Sequence, residues 1–247
     1  MLLVILRRVN MKNITLYFAP HQDDELLSMG IAVINSIKDS DTHIILCSDG
    51  SKSNIRNVLN NKRFCKHHFS FHRYKLSVNE FVNARDMEFI NSCKSLGVSD
   101  CNIHIDDDRT IDGSLSIKKA REIIIKYLDK YENAKVRTIT PFGCDSQHMD
   151  HKNLGYAAIE LYNEGKIKDL KFYIEPYFYK EFVDVNPNIE IMSIGIENNE
   201  EYKLLNALNA YKVWKPKEGR YCIGYHSTKP YFDQLTKEKI CYFHVYK

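Results

Sequence analysis

Short apolar runs alternate with longer amphipathic stretches through the first two thirds of the chain. Runs rich in β-branched and aromatic residues predict strands, and apolar residues spaced three and four apart predict helices. The predicted strands cover residues 14–18, 43–47, 101–105, 136–140 and 172–174. The predicted helices cover residues 26–38, 78–95, 117–131 and 153–164. Because strands that alternate with helices of this length are joined by crossovers, the pattern predicts an α/β fold with a mostly parallel sheet.

We expect this sheet to be Rossmann-like, with helices on both faces. After residue 177 the pattern is weaker and indicates a C-terminal α+β extension over about residues 177–247. A helix is predicted there over residues 201–212, and two strands, over residues 221–225 and 240–245, are expected to pair at an edge. The polar residues 51–75, rich in Asn, Lys and His, predict a long loop that carries some helix and lies close to a functional site.

The 247 residues suit one large α/β domain, which we predict over residues 11–247. Residues 1–10 are interpreted as an N-terminal extension. Their apolar run is too short to span a bilayer, and the basic residues follow it, which is the wrong order for a signal peptide. No other stretch approaches membrane-spanning length, so we predict no membrane span.

The charge balance, 35 basic against 32 acidic side chains, leaves a net charge of +3 and no basic stripe typical of nucleic-acid binding. We therefore expect no nucleic-acid partner. The seven cysteines are odd in number and include no CxxC pair. This favours reduced thiols in a cytoplasmic protein over a disulfide framework or a cysteine zinc site. No sequence feature indicates an oligomeric state.

A histidine and three consecutive acids, His21 and Asp23-Asp24-Glu25, follow the first predicted strand directly. In open α/β sheets, ligands bind at the carboxyl ends of the strands. Three neighbouring carboxylates repel one another, so this cluster indicates a bound cation. A run of acids taken alone is often only a helix N-terminus with favourable charges.

A second polar motif, His148-Met149-Asp150-His151, follows the strand predicted over residues 136–140. Two histidines three residues apart can face the same way in a first helical turn. Most such pairs are surface histidines, but both motifs lie at strand-to-helix junctions. Catalytic zinc sites use three nitrogen or oxygen ligands and leave one position for water. His21, Asp24 and one histidine of the second motif give such a set.

His21-Gln22-Asp23-Asp24-Glu25 resembles the HPDDE motif of the PIG-L / LmbE-like family of zinc-dependent N-deacetylases, and residues 148–151 resemble its HxDH motif. The resemblance extends over about residues 11–211. It implies that His21, Asp24 and His151 bind one Zn²⁺ per chain, for which another divalent ion could substitute. The implied activity is that of a hydrolase acting on a linear amide, which removes an N-acetyl group from an N-acetylglucosamine-type sugar or glycoside.

The resemblance also implies roles for neighbouring residues. Asp23 would be the general base. His148 would stabilise the oxyanion or protonate the leaving amine, and Asp150 could sustain its charge. Arg85 and Asp108 would contact the sugar.

Three positions depart from the family pattern. Gln22 replaces a proline, which should loosen the turn; Ser51 and Lys52 stand where a glutamate is common; and Ser146-Gln147 replace a tyrosine. Because these departures lie on the substrate side, the same chemistry on a non-sugar amide or a thiol conjugate stays open as an alternative. A non-catalytic metal-binding module is the third hypothesis, and the retained Asp23 and His148 argue against it.

Three further histidines, His67, His68 and His72, lie in the polar 51–75 segment. They could indicate a second metal site, but because the segment lacks acids we interpret it as solvated. Residues 225–228 could line the cleft, but a single histidine with hydroxyl neighbours is common, so we interpret them as a surface turn. For Trp214 we weigh stacking on a sugar ring against packing in the core.

Overall fold

The computed structural model describes residues 13–61, 64–65, 70–143 and 147–247. The predicted N-terminal extension, residues 1–10, lies outside the described residues. The strands are β1 (Asn13–Ala19), β2 (Ser40–Ser48), β3 (Phe64–Cys65), β4 (Ser70–Phe71), β5 (Ile103–Thr110), β6 (Lys135–Ile139), β7 (Leu170–Ile174), β8 (Met192–Gly195), β9 (Trp214–Lys215), β10 (Arg220–Tyr221) and β11 (Ile240–Val245). The helices are α1 (Asp24–Leu27), α2 (Gly30–Asp39), α3 (Ile55–Asn60), α4 (Val78–Leu96), α5 (Ile117–Lys130), α6 (Met149–Asn163), α7 (Tyr179–Val185), α8 (Glu201–Ala210) and α9 (Ile223–Glu238).

Seven strands form the main sheet in the order β5-β2-β1-β6-β7-β11-β8. The five strands from β5 to β7 are parallel, and β11 pairs antiparallel with both β7 and β8. This confirms the predicted α/β fold with its mostly parallel sheet. The small pairs β3–β4 and β9–β10 lie outside it.

Alternate residues of β1 face opposite sides of the sheet, and each side is covered by helices. Leu16 and Phe18 pack into a core with α5 and α6. Tyr17 and Ala19 pack into a second core with α2, α4, α8 and α9. Burial on both faces explains why β1 reads as a continuous apolar run.

The strand order reverses beside β1, because the chain continues from β1 to β2 on one side while β6 lies on the other. At such a switch point the loops that follow the two strands diverge and leave a crevice at the carboxyl ends. The crevice therefore lies between the loop after β1 and the loop after β6, the two segments that carry the sequence motifs.

The prediction for residues 221–225 is wrong: only Arg220 and Tyr221 are extended, and α9 begins at Ile223. The aromatic and apolar residues of this segment predict a strand. A helix begins here instead, because the buried carboxylate of Glu88 accepts hydrogen bonds from Ile223 N (2.6 Å) and Gly224 N (2.9 Å). A residue from α4 thus caps a helix 135 positions later. Strand β11 pairs with β7 and β8, and not with residues 221–225 as expected.

Smaller differences concern local breaks. The helix predicted over residues 26–38 is divided into α1 and α2, and the strand predicted over residues 101–105 continues as β5 to Thr110. Strand β8 was not predicted. Among the described helices, none combines the length and apolar character needed to cross a membrane.

Candidate active site

The loop after β1 turns sharply into α1 at Asp23. This residue has a left-handed backbone (φ 97°), a strained conformation that aspartate and asparagine tolerate better than most residues. The Asp23 carbonyl accepts the first helical hydrogen bonds from Leu26 N and Leu27 N. Its own N–H is bound by the Glu25 carboxylate at 2.9 Å. Because of this turn, the neighbouring side chains of Asp23 and Asp24 point in different directions, and both enter the crevice.

Three donor atoms from the two motifs converge. His21 Nδ1 lies 3.0 Å from His151 Nε2 and 3.5 Å from Asp24 Oδ2, and His151 Nε2 lies 3.1 Å from the same carboxylate oxygen. All three side chains are buried. His151 belongs to the first turn of α6, so the contact joins the loop after β1 to the helix after β6.

The spacing of these atoms suits a tetrahedral cation. Ligand bonds of 2.0–2.1 Å, as in zinc sites, place neighbouring ligand atoms about 3.4 Å apart. The three observed separations, 3.0 to 3.5 Å, surround that value. Two imidazoles and one carboxylate are also a donor set that divalent transition metals bind. The residues present therefore fit a metal ion.

Further polar groups orient both histidines. His21 Nε2 lies 3.2 Å from Asp150 Oδ2 and 3.3 Å from Asp112 Oδ1. His151 Nδ1 lies 3.1 Å from Glu175 Oε1. Metal-binding histidines commonly have such a carboxylate on the ring nitrogen that does not bind the metal. His21 also belongs to a second group of metal-capable atoms, together with Asp112, His148 and Asp150.

Both carboxylate oxygens of Asp150 are engaged in contacts within the site. Its two oxygens accept hydrogen bonds from Gly113 N (2.8 Å) and Leu115 N (3.1 Å) and also face His21. The distance from Asp150 Oδ2 to His148 Nδ1 is 4.0 Å, longer than its distance to His21. Asp150 therefore orients His21 in this structure, and Asp112 Oδ1, 3.6 Å from His148 Nε2, is the carboxylate nearer to the imidazole of His148.

The electrostatics reflect a dense set of buried charges. Burial raises the pKa of Asp23 to about 7 and that of Glu25 to about 8. Burial alone would raise the pKa of Asp24, but the two neighbouring imidazoles hold it well below its usual range. Burial would lower the pKa of His151, yet the carboxylates of Asp24 and Glu175 raise it to about 10. The site thus favours positive charge between His21, Asp24 and His151.

A cavity of about 370 Å³ opens over these atoms, at the lower end of the range for small-molecule sites. Its walls come from the loops after β1, β2, β5, β6 and β7 and from helices α1, α4, α6 and α9. The lining residues are His21, Asp23, Asp24, Lys52, Ser53, Asn54, Arg85, Asp112, Gly113, His148, His151, Tyr177, Ser227 and Thr228.

The structure brings six of the eight predicted site residues to the cavity wall, and Asp150 lies directly behind it. Arg85 is buried and donates to Gly50 O (2.8 Å) and Gln22 O (2.9 Å), with Asp23 3.8 Å away. Gln22 does not loosen the turn, because its amide donates to Asp49 O and to Asp86 Oδ1.

Asp108 is the exception. It lies within β5, is exposed, and pairs with Lys119 and Lys126 of α5 rather than with the cavity. Because β5 continues to Thr110, the acid that reaches the cavity is Asp112, just beyond the end of the strand.

Sequence reasoning also missed Glu175 and Tyr177. Glu175 follows β7 directly, so its position at a strand end was a usable signal. Ser227 and Thr228 lie in α9 and line the cavity, so the preferred interpretation of a surface turn is wrong and the alternative, that they line the cleft, is the one observed.

The chain is similar to known proteins in sequence and in fold. The family model described as PIG-L, GlcNAc-PI de-N-acetylase, matches residues 16–162. The chain is similar to the structure of a triple mutant of a deacetylase in the teicoplanin biosynthetic pathway (TM-score 0.67, 15% identity, 95% of this chain and 98% of that chain). It is also similar to the N,N'-diacetylchitobiose deacetylase from Pyrococcus horikoshii (TM-score 0.62, 17% identity, 96% and 84%).

A third similar structure is the 4-carboxy-2-hydroxymuconate hydratase from Pseudomonas putida (TM-score 0.58, 11% identity, 95% of this chain and 96% of that chain). At these identities the structures show the fold, and the hydratase illustrates that one fold can carry different reactions. None of the curated proteins matches this sequence significantly.

Proposed function

This chain belongs to the PIG-L (GlcNAc-PI de-N-acetylase) family, and on that premise we propose that it is a metal-dependent hydrolase that removes an N-acetyl group from an N-acetylglucosamine-type sugar or glycoside. The observation that carries the proposal is the convergence of His21, Asp24 and His151 beside the Asp23 carboxylate, at the base of one cavity. A module that only bound metal would need neither the carboxylate of Asp23 nor His148 at this place.

The metal ligands in this proposal are His21 Nδ1, Asp24 Oδ2 and His151 Nε2. Zn²⁺ fits this donor set, and other divalent transition ions share its preference for imidazole and carboxylate. A bound ion of this kind lowers the pKa of its water and polarises the amide carbonyl. Asp150 and Glu175 hold the two imidazoles in the orientation that points one ring nitrogen of each toward the same point.

Asp23 is the proposed general base, which takes a proton from the attacking water. It lines the cavity, and the left-handed turn separates its side chain from that of the ligand Asp24. The guanidinium of Arg85, 3.8 Å away, favours the ionised form of the carboxylate that this role requires.

His148 is the proposed donor to the oxyanion and to the leaving amine. Its Nδ1 accepts a hydrogen bond from Asp150 N at 3.2 Å, so the proton of a neutral ring lies on Nε2. The Asp112 carboxylate faces Nε2 and favours a proton there. His148 is also the most exposed of the three site histidines, as expected for a group that contacts the substrate.

The sugar assignment rests on the cavity wall and on the family. Besides the metal-capable side chains, the wall includes residues with hydroxyl, amide and basic groups, which are Ser53, Asn54, Ser227, Thr228 and Lys52. Such groups match the hydroxyl-rich ring of an amino sugar. The teicoplanin-pathway and diacetylchitobiose deacetylases, which share the fold, are deacetylases by name.

A second candidate is the same hydrolysis on a non-sugar amide or a thiol conjugate. The observation that favours it is Lys52, a cation at the cavity wall where the family often has a glutamate. A cationic wall would also accept an anionic acyl substrate.

The test is acetate release from a panel: N-acetylglucosamine, its glycosides, N,N'-diacetylchitobiose, N-acetylated amino acids and acylated thiol conjugates. Each is assayed with added zinc and with a chelator. We expect chelator-sensitive release from one of the sugars. Release from a non-sugar amide alone would favour the second candidate. No release from any amide, by protein shown to contain metal, would contradict a hydrolase.

A further inference from the structure

A third group of metal-capable side chains shares no residue with the two groups that include His21. The donor atoms of Cys65, His72 and His226 are all within 4.8 Å of one another. Cys65 is in β3, His72 follows β4, and His226 is in the first turns of α9, so the group joins a hairpin to a helix about 150 positions later. Cys65 and His72 are 4% and 2% exposed, so both side chains are buried.

The orientation of His226 supports a ligand role. Its Nδ1 lies 2.7 Å from the carbonyl oxygen of Cys222 and 3.2 Å from that of Tyr221. Because carbonyl oxygens only accept hydrogen bonds, Nδ1 carries the ring proton and Nε2 presents a lone pair. That lone pair faces Cys65 Sγ at 3.2 Å. A backbone carbonyl on one ring nitrogen, with the other left to the ion, is the usual setting of a metal-binding histidine.

His72 completes the group from the other side. Its ring packs 4.6 Å from that of Trp214 and 5.9 Å from that of His226, between aromatic side chains. It offers a ring nitrogen within 4.8 Å of the donor atoms of Cys65 and His226. The surrounding rings hold the donors in a fixed, apolar environment.

The donor types select the metal. The group consists of one thiol and two imidazoles, without a carboxylate. Soft sulfur and imidazole donors prefer zinc or copper(I) to magnesium or calcium. In tetrahedral zinc sites, bonds of 2.3 Å to sulfur and 2.0–2.1 Å to nitrogen place these atoms about 3.4–3.6 Å apart. The distance between Cys65 Sγ and His226 Nε2, 3.2 Å, is close to that range, and His72 offers a donor nitrogen within 4.8 Å of both atoms.

We propose that Cys65, His72 and His226 form a second zinc site, separate from the one at His21, Asp24 and His151. They supply three of the four positions of tetrahedral coordination. The ion would attach the β3–β4 hairpin to α9, directly before Ser227 and Thr228 of the cavity wall. It would thereby stabilise the wall without taking part in the reaction. The burial of Cys65 and His72 corrects the expectation of a solvated 51–75 segment at these two positions, while His67 and His68 lie outside the described residues. The proposed site also departs from the sequence expectation that no cysteine binds zinc.

Cobalt substitution tests the proposal with a readout independent of activity. Chelator-treated protein is titrated with Co²⁺ and followed by absorption. A cobalt ion bound to thiolate gives a sulfur-to-metal charge-transfer band in the near ultraviolet, which the oxygen and nitrogen ligands of the first site cannot produce. We expect this band and two bound equivalents in the unmodified protein. His151→Ala should keep the band and lose one equivalent.

Cys65→Ser should lose the band and one equivalent of metal. The matched control is Cys101→Ser, which removes an exposed thiol far from the group in sequence. This control should retain the band and both equivalents of metal. If Cys65→Ser does not fold, His226→Gln takes its place, because it keeps all seven thiols. In this variant the affinity for the Co²⁺ ion that produces the band should fall at least tenfold. No band in the unmodified protein, or an undiminished band in Cys65→Ser, would overturn the proposal and leave a thiol–imidazole hydrogen bond. Neither result depends on whether the protein hydrolyses amides.

Discussion

Replacing Asp23 by asparagine separates proton transfer from metal binding. Asparagine adopts the left-handed backbone of this position as readily as aspartate, so the turn should persist. Arg85 loses the carboxylate 3.8 Å away but keeps its hydrogen bonds to Gly50 O and Gln22 O. We therefore expect the free energy of unfolding to change by no more than about 1 kcal/mol, the usual range for a change without a lost buried hydrogen bond.

The effect on catalysis should be much larger. A positioned general base contributes about 100- to 10,000-fold to a rate. At about 1.36 kcal/mol for each factor of ten, this corresponds to about 2.7–5.4 kcal/mol in the activation free energy. Because no metal ligand is changed, the loss should fall on kcat while the metal content stays at that of the unmodified protein.

The assay measures kcat and KM for the amide that the unmodified protein hydrolyses best, together with metal content and thermal unfolding. Asp86→Asn is the matched control, because this carboxylate binds Arg109 and Gln22 beside the same turn but does not line the cavity. We expect the control to retain activity within a few fold. If Asp23→Asn kept turnover within tenfold at equal metal content, Asp23 would not be the base.

Four further predictions address other parts of the molecule. His151→Ala should lose the metal ion of the first site, which elemental analysis measures. Full metal occupancy in this variant would show that His151 is not a ligand. Asp150→Asn should weaken metal binding about 10- to 100-fold, because an amide cannot accept hydrogen bonds from both backbone N–H groups and also face the imidazole of His21. Competition with a chelating dye measures the metal affinity, and an unchanged affinity would contradict this role of Asp150. Asp108→Asn should change kcat/KM by less than about twofold, since this exposed side chain pairs with lysines, whereas a tenfold rise in KM would restore it as a substrate contact. Burial lowers the pKa of His244 to about 4, against about 6.5 in an unfolded chain. The unfolded state therefore takes up this proton first, and stability should fall by about 2 kcal/mol between pH 7 and pH 5 through this group. His244→Gln should reduce that pH dependence in thermal unfolding, and an equal slope in variant and unmodified protein would refute the assignment.

Much of the fold could be predicted because its signals are local. A central strand buried on both faces must be apolar throughout, and a helix must repeat its apolar positions every three or four residues. These constraints located β1, β2, β6 and α4 to within a few residues. They fail for α9, whose first turn depends on the carboxylate of Glu88 and not on a capping residue of its own.

The two motifs that build the first site were also readable from sequence. In a parallel sheet, the segments after neighbouring strands must lie at the same edge, so His21 and His151 could be expected to meet. What the sequence determined was therefore which strand ends carry the metal-capable side chains, since residue type and strand polarity are sufficient for that.

Only the tertiary structure decided which other side chains face the cavity. Asp112 rather than Asp108 reaches it because β5 extends beyond its apolar segment. Cys65 meets His226 only because a short hairpin packs against a helix whose start is itself set by a distant carboxylate. In irregular segments no periodicity relates sequence position to facing direction, so contacts between distant residues determine which groups come together.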